Sequence, residues 1–516
     1  MERIYYNGTI VTMRFPQDTA QAVLTRNGTI VRAGSIEEIR QEAGSHAEVF
    51  DLEGKTMLPG FLDGHGHLSM LAQNLAQADL SAASSFQDIV DLLRAFRERN
   101  ALFHGEYIVG FGYDENRLSE NRHPNRQVLD QVGGENPIFI SHVSFHMGVA
   151  NTVALKQANI FTDEACTGYL AETDMAAVYA QFAGSKRPLQ ELYRKAQEIY
   201  LQNGICTIQD GAVGKEQFYQ LKQLADQQLF QVDVAAYLMM TDDAHSVAQA
   251  NANVLQQYRN RLKIGGYKLV LDGSPQGKTA WMREPYTDGT NGSAWMRTDD
   301  VKAFALQAVN DGVQLMAHCN GDASSEQFLH SYQYALDHSK RKNKFRLRPV
   351  MLHSQTVRYD QLQRFSGLGM MPSFFVDHVH RWGDVHRKNL GQLRAQNISP
   401  VGWAEEFRLP YTFHQDTPIL PPNMLRTIQT AVERVTESGV LLGKQHMINV
   451  YQALQAVTIY AAYQYGEEKK KGSVEKNKNA DFVILDQNPL CVDTHALTDI
   501  RITHTIAKDR IVYRHK

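Results

Sequence analysis

Ionisable side chains stand where several apolar runs of this sequence end. The first run, residues 57–68, closes on His65 and His67, and two strand residues that are two apart point to the same face. An H-x-H pair is a weak signal by itself, because a single histidine is more often a hydrogen-bonded core residue than a ligand. Four later runs end in the same way, at Lys268, His318, His353 and Asp416. The repetition indicates one shared site.

The residue types in this set predict a divalent metal. Imidazole nitrogen and carboxylate oxygen are ligands that borderline ions such as zinc accept. Lys268 is different, because a free ammonium group is repelled by a dication. It either lies outside the ligand set or is neutralised, and a carbamate formed with carbon dioxide would make it a bridging carboxylate. Two ions about 3.5 to 4 Å apart would then share the site, so one ion and two ions both stay open.

The elements that must position these residues alternate between strands and amphipathic helices, which is typical of a parallel α/β fold. In a (β/α)8 barrel the active site forms at the carboxyl ends of the strands, where the metal-binding residue types stand here. The eight barrel strands that we predict are residues 57–67, 204–210, 232–238, 264–271, 313–318, 349–353, 368–374 and 411–416.

Both ends of the chain are rich in short strands instead. Asn7-Gly8 and Asn27-Gly28 each predict a hairpin near the amino end. The carboxyl-terminal region has similar strand-like segments, at residues 472–474, 480–485, 501–507 and 510–513. The two ends are therefore expected to complete one sheet assembly.

These patterns predict a discontinuous first domain. Residues 1–57 and 470–516 would form a composite β-sandwich, and residues 58–469 would form the barrel. The gap between the first two barrel strands is too long for one βα unit, so we predict an insertion at about residues 70–203, on the side where barrel loops build active sites. The charge run at residues 467–471 is interpreted as a solvated connector.

Composition excludes several classes of protein. A chain of 516 residues with 43% hydrophobic and 21% charged residues is typical of a globular protein rather than a disordered or fibrous one. A net charge of -3 does not suggest nucleic-acid binding. Without an apolar run of about 18 residues or a signal peptide we expect a cytoplasmic protein with no membrane partner. Four scattered cysteines argue against a disulfide framework.

The sequence resembles the amidohydrolase superfamily, specifically its YtcJ-like branch, the amidohydrolase 3 group that includes N-substituted formamide deformylases. The resemblance covers nearly the whole chain and lies in the segments L-P-G-F-L-D-G-H-G-H, G-F-G-Y-D-E-N, N-T-V-A-L, G-I-C-T-I-Q-D-G, K-L-V-L-D-G-S, A-H-C-N-G-D, L-H-S-Q, H-Q-D-T-P and G-S-V-E-K-N-K-N-A-D-F-V-I-L-D. One departure is H-Q-D, where G-S-D or H-x-D is common, and another is N-K-N-A-D in place of G-K-x-A-D. We expect neither departure to touch a metal ligand.

The resemblance implies a fold and a ligand set. The fold is α/β, a distorted (β/α)8 TIM barrel with a composite β-sandwich domain from both termini. The cofactor is a divalent metal, zinc first, as one or two ions, with Lys268 as a candidate for N6-carboxylation. The implied ligands are His65, His67, Lys268, His318, His353 and Asp416.

The function that we expect is metal-dependent hydrolysis of a carbon-nitrogen bond in a small molecule, of the amide, N-acyl or N-formyl type. Activated water attacks the carbonyl, and Asp416 carries its proton to the leaving nitrogen. Two alternatives stay open, a catalytically silent regulatory relative and an ester or phosphoester hydrolase that uses the same set of metal ligands. The expected partner is a small-molecule substrate without nucleic acid, and a homodimer is left open.

Substrate contacts are expected from two segments. Residues 374–382 are predicted to form a substrate-contacting or gating loop rather than a second metal site, although they contain another H-x-H pair. The resemblance implies that His146, in the insertion, lines the pocket wall, and a buried, hydrogen-bonded core histidine stays open as the alternative. The substrate-binding residues that we predict are His146, Phe374, His378, His380 and Trp382.

Overall fold

A computed structural model describes residues 1–102, 104–143, 147–161, 163, 165–171, 178 and 189–515. His146 lies outside these residues. The chain forms two compact units, one made of Met1–Leu68 and Gln197–Lys516 and the other made of Ser69–Ala196. None of the described helices is long and apolar enough to cross a membrane.

The described strands follow one another along the chain in three sheets. In order they are β1 (Glu2–Val11), β2 (Thr19–Arg26), β3 (Thr29–Gly34), β4 (Glu48–Asp51), β5 (Thr56–Pro59), β6 (Phe61–Leu62), β7 (Ala78–Asp79), β8 (Ile108–Tyr113), β9 (Ile138–His142), β10 (Met147–Ala150), β11 (Tyr169–Ala171), β12 (Ile205–Val213), β13 (Asp233–Met239), β14 (Leu262–Val270), β15 (Gln314–Cys319), β16 (Val350–His353), β17 (Met371–Phe374), β18 (Thr412–Phe413), β19 (Phe482–Leu485), β20 (Ile502–Ala507) and β21 (Arg510–Arg514).

Helices fill most of the connections. The described α-helices are Ile36–Glu42, Leu68–Asn74, Phe86–Arg99, Arg126–Asp130, Thr152–Gln157, Leu189–Gln202, Lys215–Asp226, Ala244–Ala250, Thr298–Asp311, Asp322–His338, Tyr359–Gln363, Phe365–Leu368, His378–Ala395, Val401–Glu406, Met424–Glu433, Val450–Ala456 and Ile459–Gln464. Short 3-10 helices lie at Ala252–Val254, Lys344–Arg346, Lys444–His446 and Thr494–Asp499.

The sheet of the terminal regions has the strand order β21-β20-β19-β5-β1-β2-β3, with β4 on β1. The hairpin predicted at Asn27-Gly28 is confirmed, since β2 and β3 pair antiparallel on either side of it. The hairpin predicted at Asn7-Gly8 is wrong. Strand β1 continues through this pair, with Asn7 at φ 58° and a register shift between Tyr6 and Ile10, so the sequence signal marks an irregularity within one strand.

Strands from both ends of the chain meet in this sheet. β19 pairs antiparallel with β5, so that Val483 lies opposite Leu58. Tyr5 donates a hydrogen bond of 2.6 Å from its hydroxyl to Asp509 Oδ1. The shared core includes Ile10, Val23, Met57, Val474, Phe482, Ile484 and Ile506. The sandwich arrangement and the domain boundaries stay predictions, but their two sequence segments share one sheet and one core.

The parallel sheet carries the eight predicted barrel strands in their predicted order. Within the described part of the chain its order is β18-β17-β16-β15-β14-β13-β12-β6. The backbone N–H of His67, just beyond β6, donates to Thr417 O beyond β18, at 2.8 Å, so the two ends of the sheet approach each other. This curled α/β sheet is consistent with a distorted (β/α)8 barrel.

The predicted first barrel strand is in fact two strands in two sheets. β5 belongs to the terminal sheet and β6 to the parallel sheet, and Gly60 separates them. The Gly60 N–H donates to Asp481 O at 2.9 Å, and a Cβ atom at this position would lie 2.3 Å from Cys206 Sγ. The prediction was wrong because an apolar run does not show where the chain changes sheets.

Ser69–Ala196 has its own sheet, with the order β11-β10-β9-β8-β7 among the described residues. Ser85 begins the helix Phe86–Arg99, and its side chain accepts a hydrogen bond from Asp88 N, which is a typical N-cap. Ile89, Leu93 and Phe96 of this helix pack into the core of the unit.

The charge run at residues 467–471 is not simply a solvated connector, so that interpretation was wrong. Lys471 is buried and pairs with Asp233 Oδ2 at 2.9 Å and with Glu467 Oε2 at 2.7 Å. Burial by itself raises the pKa of Asp233, but attraction to Lys471 and Lys508 outweighs burial and lowers this pKa to about 2. The run thus ties the barrel to the segment that returns to the terminal sheet.

Removing residues 472–516 is expected to make the protein insoluble. The deletion strips β19 from β5, leaves an open strand edge and removes Asp509, the acceptor of the Tyr5 hydroxyl. Recovery in the soluble fraction measures the effect, with deletion of residues 515–516 as the control. A soluble and folded short form would contradict the role given to the terminal sheet.

Candidate metal centre

His65 and His67 lie in an irregular segment after β6, which ends at Leu62. The expectation that strand alternation orients these two side chains is therefore wrong. Their ring centroids are 4.9 Å apart, and each ring is instead held by a hydrogen bond to β12. His65 Nδ1 lies 2.5 Å from Gln209 Oε1, and His67 Nδ1 lies 2.9 Å from Gly211 O.

These contacts define the protonation of both rings. The amide nitrogen of Gln209 donates to Gly64 O and to the Tyr465 hydroxyl, at 3.0 Å each, so its Oε1 is left to accept. Carbonyl oxygens only accept hydrogen bonds, which puts the proton of His65 and of His67 on Nδ1. In the neutral rings the Nε2 atoms then keep lone pairs, the state in which histidine binds metals. Burial by itself lowers the pKa of His67, but the neighbouring Asp416 carboxylate outweighs burial and raises it.

Asp416 lies against these two Nε2 atoms. Its Oδ1 is 3.1 Å from His67 Nε2 and 3.4 Å from His65 Nε2, and this buried oxygen has no hydrogen-bond partner among the described residues. Burial alone raises the pKa of Asp416, but the charges of His353 and the two other rings hold it well below its usual value. The backbone φ of Asp416 is 54°, in the left-handed region that few non-glycine residues adopt.

His353 enters the same cluster from the end of β16. Its φ is 67° and that of Ser354 is 48°, so the backbone leaves strand geometry at this residue. Nδ1 of His353 lies 3.1 Å from His414 Nε2, while its buried Nε2 has no hydrogen-bond partner within the described chain. The ligand atoms of His65, His353 and Asp416 all lie within 4.8 Å of one another.

His318 stands beside His353, with ring centroids 4.3 Å apart. Its Nε2 lies 3.1 Å from Gly273 O and 3.0 Å from Asn320 Nδ2. A proton on Nε2 that is donated to the Gly273 carbonyl leaves the lone pair on Nδ1. Burial and the charge of Lys268 lower the pKa of His318 to about 4. The ring is therefore neutral near pH 7, as a metal ligand must be.

Lys268 is buried on β14, and its Nζ lies 3.0 Å from His65 Nε2. Burial lowers the pKa of its amine to about 7. The structure thus brings all six predicted ligands together. The atoms left for an ion are nitrogen and oxygen donors with buried, unsatisfied members, and this set fits a borderline divalent cation.

Residues that support the ligands were not singled out by sequence reasoning. These supporting residues are Gln209, His414 and Asp272. Asp272 accepts hydrogen bonds from Asn320 N, at 3.0 Å, and from Gly321 N, at 2.7 Å, and these bonds position the segment after His318. A signal was present for His414, because it stands two residues before Asp416. A signal was also present for Asp272, which directly follows the predicted strand 264–271. None was available for Gln209, whose partners are far away in sequence.

The predicted substrate residues divide into two groups. The ring of Phe374 packs on Tyr411, with centroids 6.2 Å apart, and the ring next to the cluster is that of Phe375, 5.5 Å from His414. His378 is 4.6 Å from Phe375 and Trp382 is 4.5 Å from His378.

His380 does not join this aromatic group, because its Nδ1 is bound to Val435 O at 3.0 Å. The predicted loop is also wrong, since His378–Ala395 is helical. His146 lies outside the described residues, so its predicted role stays a prediction.

Comparison with known proteins agrees with this geometry. Residues 48–513 match the amidohydrolase family. The chain belongs to this family. It is 25% identical over 555 residues to YtcJ of Bacillus subtilis, whose name classes it as an amidohydrolase, with 99% of each chain covered. It is 24% identical over 532 residues to an N-substituted formamide deformylase of Arthrobacter pascens, covering 97% of this chain and 96% of the relative.

A solved structure is similar over nearly the whole chain. The chain is similar to a metal-dependent hydrolase of Pyrococcus furiosus, with a TM-score of 0.79 and 25% identity over 95% of this chain and 100% of that one. Together the matches place the chain in the YtcJ-like branch of the family. They support hydrolase activity and a divalent metal.

Replacing both His65 and His67 by Ala is expected to abolish metal binding, because the two lone pairs beside Asp416 disappear together. Elemental analysis of purified protein measures the metal stoichiometry. The exposed pair His46 and His330, changed to Ala in the same way, is the control. Unchanged stoichiometry in the His65→Ala/His67→Ala protein would show that the ion binds elsewhere.

Proposed function

We propose that this protein is a metal-dependent hydrolase of carbon-nitrogen bonds in amide-like small molecules, such as N-acyl or N-formyl amines. The observation that carries the proposal is the Asp416 carboxylate. It is kept ionised by the surrounding histidines, and its Oδ1 has no hydrogen-bond partner among the described residues. A carboxylate in this position is available to accept a proton from an attacking water.

The ligand cage gives each residue a role. His65, His67, His318 and His353, with Asp416, would hold the ion. When bound, a divalent cation lowers the pKa of water and polarises a carbonyl group. Asp416 takes the proton on its carboxylate and returns it to the leaving nitrogen, which is a poor leaving group unless it is protonated.

The proposed specificity for carbon-nitrogen bonds is supported by a relative and by the aromatic group beside the histidines. The relative from Arthrobacter pascens is named as a deformylase of N-substituted formamides, and its reaction class is transferred here as a proposal. A substrate with an apolar substituent suits the aromatic group made by Phe375, His378 and Trp382, which lies beside His353 and His414.

Lys268 completes the proposed site as an N6-carboxylated residue. A buried neutral amine is the form that combines with carbon dioxide, and the product carries a negative charge beside the cage. A buried negative charge is stable only beside cations. Carboxylation of Lys268 and binding of a second ion would therefore depend on each other.

Lys268→Ala is expected to lose metal and activity together, and short carboxylic acids are expected to restore part of both by replacing the missing carboxylate. Elemental analysis and turnover on an N-formyl amine measure the result, with exposed Lys340→Ala as the control. Wild-type metal content and turnover in Lys268→Ala would exclude the bridge and favour one ion.

Asp416→Asn is expected to keep much of its metal while amide turnover falls by about 10² to 10⁴, the usual contribution of general acid-base catalysis. Activated esters should lose less, because their leaving groups need no proton. Rates on a matched amide and ester measure the difference, and exposed Asp337→Asn is the control.

The same panel separates the alternatives. Equal losses on amide and ester would remove the proton shuttle and favour an ester or phosphoester hydrolase. A metal-loaded wild-type protein that turns over neither amides, esters nor phosphoesters would be a silent regulatory relative.

A further inference from the structure

A chain of hydrogen bonds runs from the parallel sheet to His353. Ser373 Oγ, on β17, lies 2.8 Å from His414 Nδ1. His414 Nε2 lies 3.1 Å from His353 Nδ1. All three side chains are buried, so each polar atom in the chain needs its partner, because an unsatisfied buried group costs about 1 to 3 kcal/mol.

The protons of these two hydrogen bonds can be arranged in only two ways, because a neutral imidazole has one donor and one acceptor nitrogen. In the first, His353 donates from Nδ1 to His414 Nε2, and His414 donates from Nδ1 to the Ser373 hydroxyl. His353 Nε2 then keeps a lone pair. In the second, His414 donates from Nε2 to His353 Nδ1, and His353 is left with an N–H bond at Nε2, directed into the cage.

Only the first arrangement suits a cation. His353 Nε2 is the buried nitrogen without a hydrogen-bond partner in the described chain, and a ring nitrogen of His353 lies within 4.8 Å of the ligand atoms of His65 and Asp416. A lone pair there binds an ion, whereas an N–H group repels one. The state of His414 therefore decides whether His353 is a ligand.

We infer that His414 is a positioning residue whose Nε2 accepts the His353 proton, with Ser373 holding the matching proton on His414 Nδ1, so that His353 Nε2 stays free for the metal. This inference rests on the proposed metal site. It also changes the meaning of the H-Q-D segment, which we expected to touch no ligand. That expectation was wrong, because His414 is in direct contact with His353.

Two amide substitutions test the inference with almost no change in polarity. The amide of Gln extends to the position of imidazole Nε2, whereas the shorter amide of Asn extends only to that of Nδ1. His414→Gln keeps an acceptor for His353 and is expected to bind zinc close to wild type. His414→Asn leaves His353 Nδ1 without its acceptor and is expected to bind zinc about 10- to 100-fold more weakly, the usual effect of losing such a support.

The measurement is competition for zinc between the whole protein and a chromophoric chelator, so it does not depend on turnover. Circular dichroism checks that each variant is folded. His446→Leu is the matched control, because His446 is also buried but is bound to Asn397 Oδ1 at 3.1 Å, and its loss is expected to leave zinc affinity unchanged.

Ser373→Ala is the second variant, and it decides the matter if His414→Asn does not fold. It removes the acceptor of the His414 Nδ1 proton and is expected to give a smaller loss of zinc affinity. In the His414→Asn background this loss should vanish, because the two residues act as one unit.

The possible failures are distinguishable. Wild-type affinity in folded His414→Asn, or in Ser373→Ala if His414→Asn is unfolded, overturns the inference and leaves the proposed function intact. Equal losses in folded His414→Gln and His414→Asn also overturn it, since the shape of the ring would then matter rather than its acceptor. Wild-type protein that binds no zinc and no other divalent ion overturns the proposed function itself.

Discussion

The cage depends on hydrogen bonds made away from its centre. A buried imidazole that left both nitrogens unpaired would be costly and free to rotate. Here Gln209, Gly211 and Gly273 each occupy one nitrogen of a ring with an oxygen acceptor. The acceptor favours the proton on the nitrogen that faces it, so the other ring nitrogen keeps its lone pair. The same contact that stabilises each ring therefore also prepares it to bind a cation.

Backbone conformation is the second constraint on the cage. His353 and Asp416 both have φ in the left-handed region, at 67° and 54°. Such conformations cost a non-glycine residue about 1 to 3 kcal/mol and persist only where the surrounding structure imposes them. His353 ends β16, and Asp416 lies three residues beyond the end of β18, so the parallel sheet holds the strained turns that bring these side chains inward.

Buried charge is divided between two regions of the barrel unit. The cage gathers histidines around one carboxylate whose pKa they lower and a lysine whose pKa burial lowers. In the other region Lys471, Asp233 and Glu467 are fully charged and paired with one another. Breaking such a buried pair by removing one partner typically costs about 3 to 5 kcal/mol. The first region is prepared to receive an ion, and the second has already satisfied its own charges.

The sequence by itself determined the order of the parallel strands and which ionisable residues meet at the candidate metal centre, because apolar runs and the ionisable residues at their ends are local features. It could not determine what holds His65 and His67, because their strand-like pattern continues past the end of β6 and their partners lie on β12. Within residues 374–382 it singled out Phe374 instead of Phe375, since alternation along a strand says nothing of the turn that follows. Hydrogen bonds between residues far apart in sequence decided these points, and only the tertiary structure brings those residues together.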